Sequence, residues 1–199
     1  MMNRRVLVGT VLALSVVVGG CGGVGNQTTG AVNADVQPVT MDDVFSAPVP
    51  ELCRHEAGNL VQGFLPLQDP RFGAVELGYF RDPEYGVLTE PKVVFGDLTG
   101  DGVDDAAVVI HCNAGGVAWP DTVHVYTDGP TWLGMVNMGE LNGETGRVHV
   151  DTMEIVDGQV DLTWMGFASS DSSCCPSLPR KGSVRWNGET VVIADVTDN

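Results

Sequence analysis

"KVVFGDLTGDGVDDAAVVIHC", residues 92–112, decides the fold. Two runs rich in β-branched and aromatic residues, "KVVF" and "DAAVVI", stand on either side of a stretch made mostly of Asp, Gly and Thr. Neither run is long enough for a helix of ordinary length. The glycines between them give the backbone the freedom a turn needs, so the block reads as strand, turn, strand. The same pattern extends outward through "AVELGYF" (74–80), "TVHVYT" (122–127), "RVHVDT" (147–152), "QVDLTWMGF" (159–167), "SVRWNG" (183–188) and "TVVIAD" (190–195). Turn signals separate these runs: Asp101-Gly102, Asp128-Gly129, Asp157-Gly158, Asn142-Gly143 and Asn187-Gly188. The fold class is therefore mainly β (α+β), a single antiparallel β domain with one or two short helices near its start. "MDDVF" after Thr40 is such a helix, with Thr40 as its N-cap and two acids in the first turn; Pro48 and Pro50 end it. No fixed-period repeat is present, which excludes a propeller or solenoid.

The N-terminus has a different character. "MMNRR" is basic, and residues 6–20, "VLVGTVLALSVVVGG", form an apolar run too short to span a bilayer. This is the anatomy of a secretory leader, and "VGGC" matches the aliphatic-small-small-Cys pattern of a lipobox. Residues 1–20 are read as a lipoprotein signal peptide and Cys21 as the lipidated first residue of the mature chain. Residues 21–38, small and polar without apolar period, form a flexible tether, and residues 39–199 form the folded domain. Two or more acyl chains, at about 0.8 kcal/mol per buried methylene, hold such a protein on a membrane. The expected location is the outer face of the cytoplasmic membrane.

The 199-residue chain has a formal net charge of −16. The leader carries Arg4 and Arg5 and no acid, so the remainder is more negative still. That excess repels nucleic acid and anionic headgroups, leaving the lipid as the membrane attachment. Besides Cys21 there are Cys53, Cys112, Cys174 and Cys175, an even set suited to an oxidising compartment. A bond between the neighbours Cys174 and Cys175 would miss the usual Cα separation. Two pairings then stay open, both tying "SSCCPS" to Cys53 by one bridge and to Cys112 by the other.

Within residues 97–105, Asp97, Thr99, Asp101 and Asp105 fall at loop positions 1, 3, 5 and 9, with Gly102 at 6 and the Val103 carbonyl at 7. Oxygen ligands at these spacings suit calcium, the cofactor the sequence suggests, with a dissociation constant of about 10⁻⁴–10⁻³ M. The alternative is an acidic turn whose carboxylates cap backbone N–H groups. Strand parity offers a second metal candidate. His111, His124 and His149 each oppose apolar neighbours, and adjacent strands would bring their imidazoles together on a solvent-side face as a zinc site. Trp119, Trp132, Trp164 and Trp186 are assigned to the core rather than to a ligand groove. Neither a nucleophile motif nor a phosphate-cradling loop is present.

The lipobox, "PELC" (50–53), "VVFGDLTGDGVDDAAVVIHC" and "CCPS" (174–177) before "VRWNGE" together resemble the LppP/LprE-type lipoproteins of high-GC Gram-positive cell envelopes. The resemblance implies a surface lipoprotein and brings no reaction or ligand with it. The central block alone is also similar to the calcium loops of FG-GAP and VCBS repeats. It departs from them at Thr99 and occurs once. The sequence thus points to an envelope-anchored, non-enzymatic binding or accessory lipoprotein, with a hydrolase acting on envelope polymers as the alternative.

Overall fold

The computed structural model of the chain describes residues 36–198, apart from 83, 117–118, 142–146 and 173. The leader, Cys21, nearly all of the tether and the Asn142-Gly143 turn lie outside the described residues. The chain enters through a short helix α1 (Met41–Phe45), capped as its sequence indicates: Thr40 accepts from the Asp43 N–H, and the Asp43 carboxylate accepts from the Thr40 N–H. Two residue pairs, β1 (Pro48–Val49) and β2 (Gly58–Asn59), make a small ribbon. Then follow β3 (Ala74–Leu77), β4 (Tyr79–Arg81), β5 (Leu88–Pro91), β6 (Val93–Gly96), β7 (Asp105–Asn113), β8 (Thr122–Thr127) and β9 (Thr131–Asn137). The last four strands are β10 (Val150–Val156), β11 (Gln159–Gly166), β12 (Leu178–Trp186) and β13 (Val191–Asp198). The domain is mainly β and its strand pairs are antiparallel, as the sequence indicates.

One sheet has the order β3-β7-β8-β9, with β6 lying beside the first half of β7 and β3 beside the second. The other runs β10-β11-β12-β13. Between the sheets lies a core that includes Ala107, Val109, Val123, Val125, Val150, Leu162, Trp164 and Val184. The opposite face of the first sheet, carrying Ala106, Val108, Ile110, Cys112 and Tyr126, is covered by the N-terminal segment through Val39, Val44, Leu52, Leu60 and Leu65. Both faces of β7 and β8 are thus buried, which explains why "DAAVVI" is apolar without alternation. The expected solvent-side face for His124 does not exist. Asp128-Gly129 and Asp157-Gly158 make the tight hairpin turns, each with positive φ at both positions.

The cysteine pairing differs from expectation. Even-numbered residues of β7 face the N-terminal layer, so Cys112 points at Cys53, and the two are bonded with Cα atoms 6.1 Å apart. "SSCCPS" sits in the β11–β12 connection of the other sheet, and Cys174 is bonded to Cys175. The staple between "SSCCPS" and the first sheet is absent.

Candidate functional site

The β7–β8 register decides the site. Ile110 pairs with Thr122 and Val109 with Val123, so continuing by one step brings Asp121 opposite His111. On the other side of β7, Glu76 of β3 pairs with His111. Asp121 is held at the start of β8, its N–H bonded to the Val148 carbonyl at 2.9 Å, and this contact delivers His149 and Val150 from the second sheet.

The Asp121 side chain is 0% exposed. Its Oδ1 accepts from His111 Nδ1 at 2.5 Å and from His149 Nδ1 at 2.8 Å, and its Oδ2 accepts from the Val150 N–H at 2.9 Å. One carboxylate therefore joins β7 and β8 to the leading end of β10. Burial pushes its pKa up, but the hydrogen bonds from His111 and His149 and their charge more than offset this and hold it down at about 2. The ionised acceptor keeps a proton on Nδ1 of each imidazole.

Val150 is bracketed by side chains, because its carbonyl accepts from Lys92 Nζ. Burial lowers the Lys92 pKa, against the opposing pull of the Asp121 and Asp151 charges. Register slips between Val150 and Thr152, so Asp151 sits at an irregularity in β10 and lines the cavity described next. Burial raises the Asp151 pKa, while the Lys92 charge counters it.

His111, His149, Lys92 and Asp151, with Glu76, Arg81 and Asn113, form the polar side of a cavity of about 620 Å³. Phe64, Leu77, Tyr79, Phe80, Leu88 and Trp119 supply its apolar wall. Two cations stand over aromatic rings of that wall, Lys92 over Phe80 at 5.8 Å and Arg54 over Trp119 at 5.9 Å. Phe64 and Leu88 are exposed at the rim.

Against the three-histidine expectation, the structure brings together His111 and His149, with ring centroids 5.7 Å apart, and replaces His124 by Asp121. His124 pairs with Val108, so it faces the N-terminal layer, opposite to His111. It is fully buried, bonded to Thr122 and Trp132. Asp121 went unnoticed because "WPDT" reads as a turn acid; only register makes it the partner of His111. Trp164 is buried as assigned, whereas Trp119 belongs to the cavity wall.

The acidic loop is organised around its own backbone. Asp97 accepts from the N–H groups of Gly100, Asp101 and Gly102, Asp101 from Val103, and the buried Asp105 from Leu98 and Thr99. Thr99 Oγ1 is buried without a partner. Asp97, Asp101 and Asp105 do not gather on one point. Among the described residues, the group whose three ligand atoms lie within 4.8 Å of one another is His111, Asp121 and His149. The loop therefore has the geometry of a capped acidic turn.

Among the described residues, no helix is long and apolar enough to cross a membrane. Comparison with protein-family models, with curated proteins and with solved structures finds no match to this chain, so its function is argued from the site.

Proposed function

We propose that the chain is a lipid-anchored envelope protein that binds a small amphipathic ligand in the cavity between β3–β5 and the His111–His149 pair. The observation that carries this reading is the cavity's division into an aromatic and aliphatic wall and a polar side holding Lys92, His111, His149 and Asp151. The lipobox at Cys21 and the tether support the location, since they would hold such a cavity just off a membrane surface.

A hydrolase is the second reading, because a buried carboxylate that fixes the proton on Nδ1 leaves Nε2 of each imidazole as a base. Binding is favoured because the described lining contains no serine, threonine or free cysteine, Cys112 being bonded to Cys53. Asp121, with its lowered pKa, is fully buried and does not line the cavity; the carboxylates that do are Glu76 and Asp151.

Two measurements test the proposal. Replacing Cys21 by Ala should move the protein from the membrane to the soluble fraction; equal membrane retention refutes the anchor. The same unlipidated chain should bind anilinonaphthalene sulfonate one to one, with binding weakened by Trp119→Ala and by Leu88→Glu at the exposed rim. Binding that both variants leave unchanged refutes the cavity.

A further inference from the structure

We infer that His111, Asp121 and His149 form a binding site for a divalent transition metal of the zinc class. Two imidazoles, one on β7 and one just ahead of β10, converge through Nδ1 on one oxygen of a fully buried carboxylate. The ligand atoms of the three side chains all lie within 4.8 Å of one another, close enough for one ion to reach all three. Metal entry requires each neutral imidazole to carry its proton on Nε2 instead of Nδ1, with no net proton gained or lost.

The distances allow the exchange. Zinc bonds near 2.0–2.1 Å in a tetrahedral site separate ligand atoms by about 3.3 Å. The present N···O separations of 2.5 and 2.8 Å must therefore open slightly. Both rings have room, with His111 31% and His149 44% exposed in their side chains and His149 lying outside the strand ladder. Asp121 stays fixed, because its second oxygen keeps the Val150 N–H.

Donor chemistry sets the class. Two nitrogens and one carboxylate oxygen suit zinc, copper or nickel, whereas calcium and magnesium prefer all-oxygen shells. Lys92 and Arg81 oppose a cation here, and Asp151 balances Lys92 across the cavity. Three protein ligands leave a coordination position for water or for a donor atom of a cavity ligand. The inference shares the cavity with the proposed function but requires neither the lipid nor the amphipathic ligand.

The test uses the untagged full chain in detergent, with disulfides intact, stripped with chelator and titrated with zinc by calorimetry. Cobalt(II) is added separately to read tetrahedral coordination from its visible bands. One equivalent should bind, and His149→Gln should weaken it by about 100-fold or more. His111→Gln should do the same, giving a second route if one variant folds poorly by circular dichroism. Asp101→Ala in the acidic loop should leave zinc affinity unchanged. No zinc binding by the wild type, or equal affinity in both histidine variants, overturns the inference. Binding of anilinonaphthalene sulfonate that survives chelation would leave the cavity reading standing by itself.

Discussion

Acidification from pH 6.5 to about 4.5 is expected to destabilise the protein through His124. This imidazole is 0% exposed, between Tyr126 and Trp132. The Trp132 indole N–H donates to its Nδ1 at 3.2 Å, and an indole can only donate, so Nδ1 holds the lone pair. The proton is then on Nε2, which donates to Thr122 Oγ1 at 2.9 Å, and Thr122 passes its own hydroxyl proton to the Ile110 carbonyl at 3.3 Å. A second proton would have to sit on Nδ1, facing an N–H. Burial pulls the His124 pKa from 6.5 to about 3. Because the folded value lies below the unfolded one, the unfolded chain binds one more proton between them. The stabilising effect is complete above the unfolded value and declines by about 1.4 kcal/mol per pH unit below it. Between pH 6.5 and about 4.5 the loss is about 3 kcal/mol, a large share of an ordinary stability of about 5–15 kcal/mol.

Urea denaturation followed by tryptophan fluorescence across this range, with chelator present, reads the slope directly. In His124→Gln the amide can accept from Trp132 and donate to Thr122, so the variant should fold, start less stable at neutral pH and show a flatter profile. A wild-type stability that is flat over the range, or an equal slope in the variant, would refute the assignment of a neutral, locked imidazole.

Asp121 acts lower in pH: its folded value of about 2 lies beneath the ordinary 3.8 of the unfolded chain, so it contributes stability above the unfolded value that is lost as pH falls toward the folded one. The loss should be about 2 kcal/mol and should be missing in Asp121→Asn, measured by the same denaturation below about pH 4. The Cys53–Cys112 bond closes a separation of 59 residues, so a Cys53→Ser/Cys112→Ser chain should lose about 4 kcal/mol on the loop-entropy argument. The vicinal Cys174–Cys175 bond constrains no loop, and its removal should leave the urea midpoint nearly unchanged. Millimolar calcium should not raise the melting temperature, because Asp97, Asp101 and Asp105 do not bring their carboxylates together on one point; a rise abolished by Asp101→Ala would establish the calcium loop instead.

Much of the architecture was legible because β-branched runs and Asp-Gly or Asn-Gly turns act locally. Thr40 caps its helix through contacts three residues away, and Asp157-Gly158 turns its hairpin with positive φ at both positions. Strand β9, "TWLGMVN", escaped because Gly134 interrupts its pattern. The reason for that glycine is tertiary: a Cβ there would stand 3.0 Å from Val191 Cγ2 on β13. Likewise β10 begins at Val150 rather than Arg147, since Asp121 ties down Val148 and Val150 before the ladder starts.

The site was less legible because it depends on register, which no local pattern sets. Parity correctly opposed His111 to Ile110 and His124 to Val123. Whether those two histidines share a face depends on which residues of β7 and β8 pair, and the pairing of Val108 with His124 puts them on opposite faces. That same pairing lines up Glu76, His111 and Asp121 across three consecutive segments of the sheet. The Cys53–Cys112 disulfide is tied to the same strand, because the face of β7 that carries Cys112 is the one packed against Cys53. A shift of one residue in β7 would turn His111 into the N-terminal layer and Cys112 toward the second sheet. The Cys53–Cys112 bond and the Asp121–His111 contact therefore constrain one register between them, and the bond that stabilises the fold also holds the imidazole against its carboxylate.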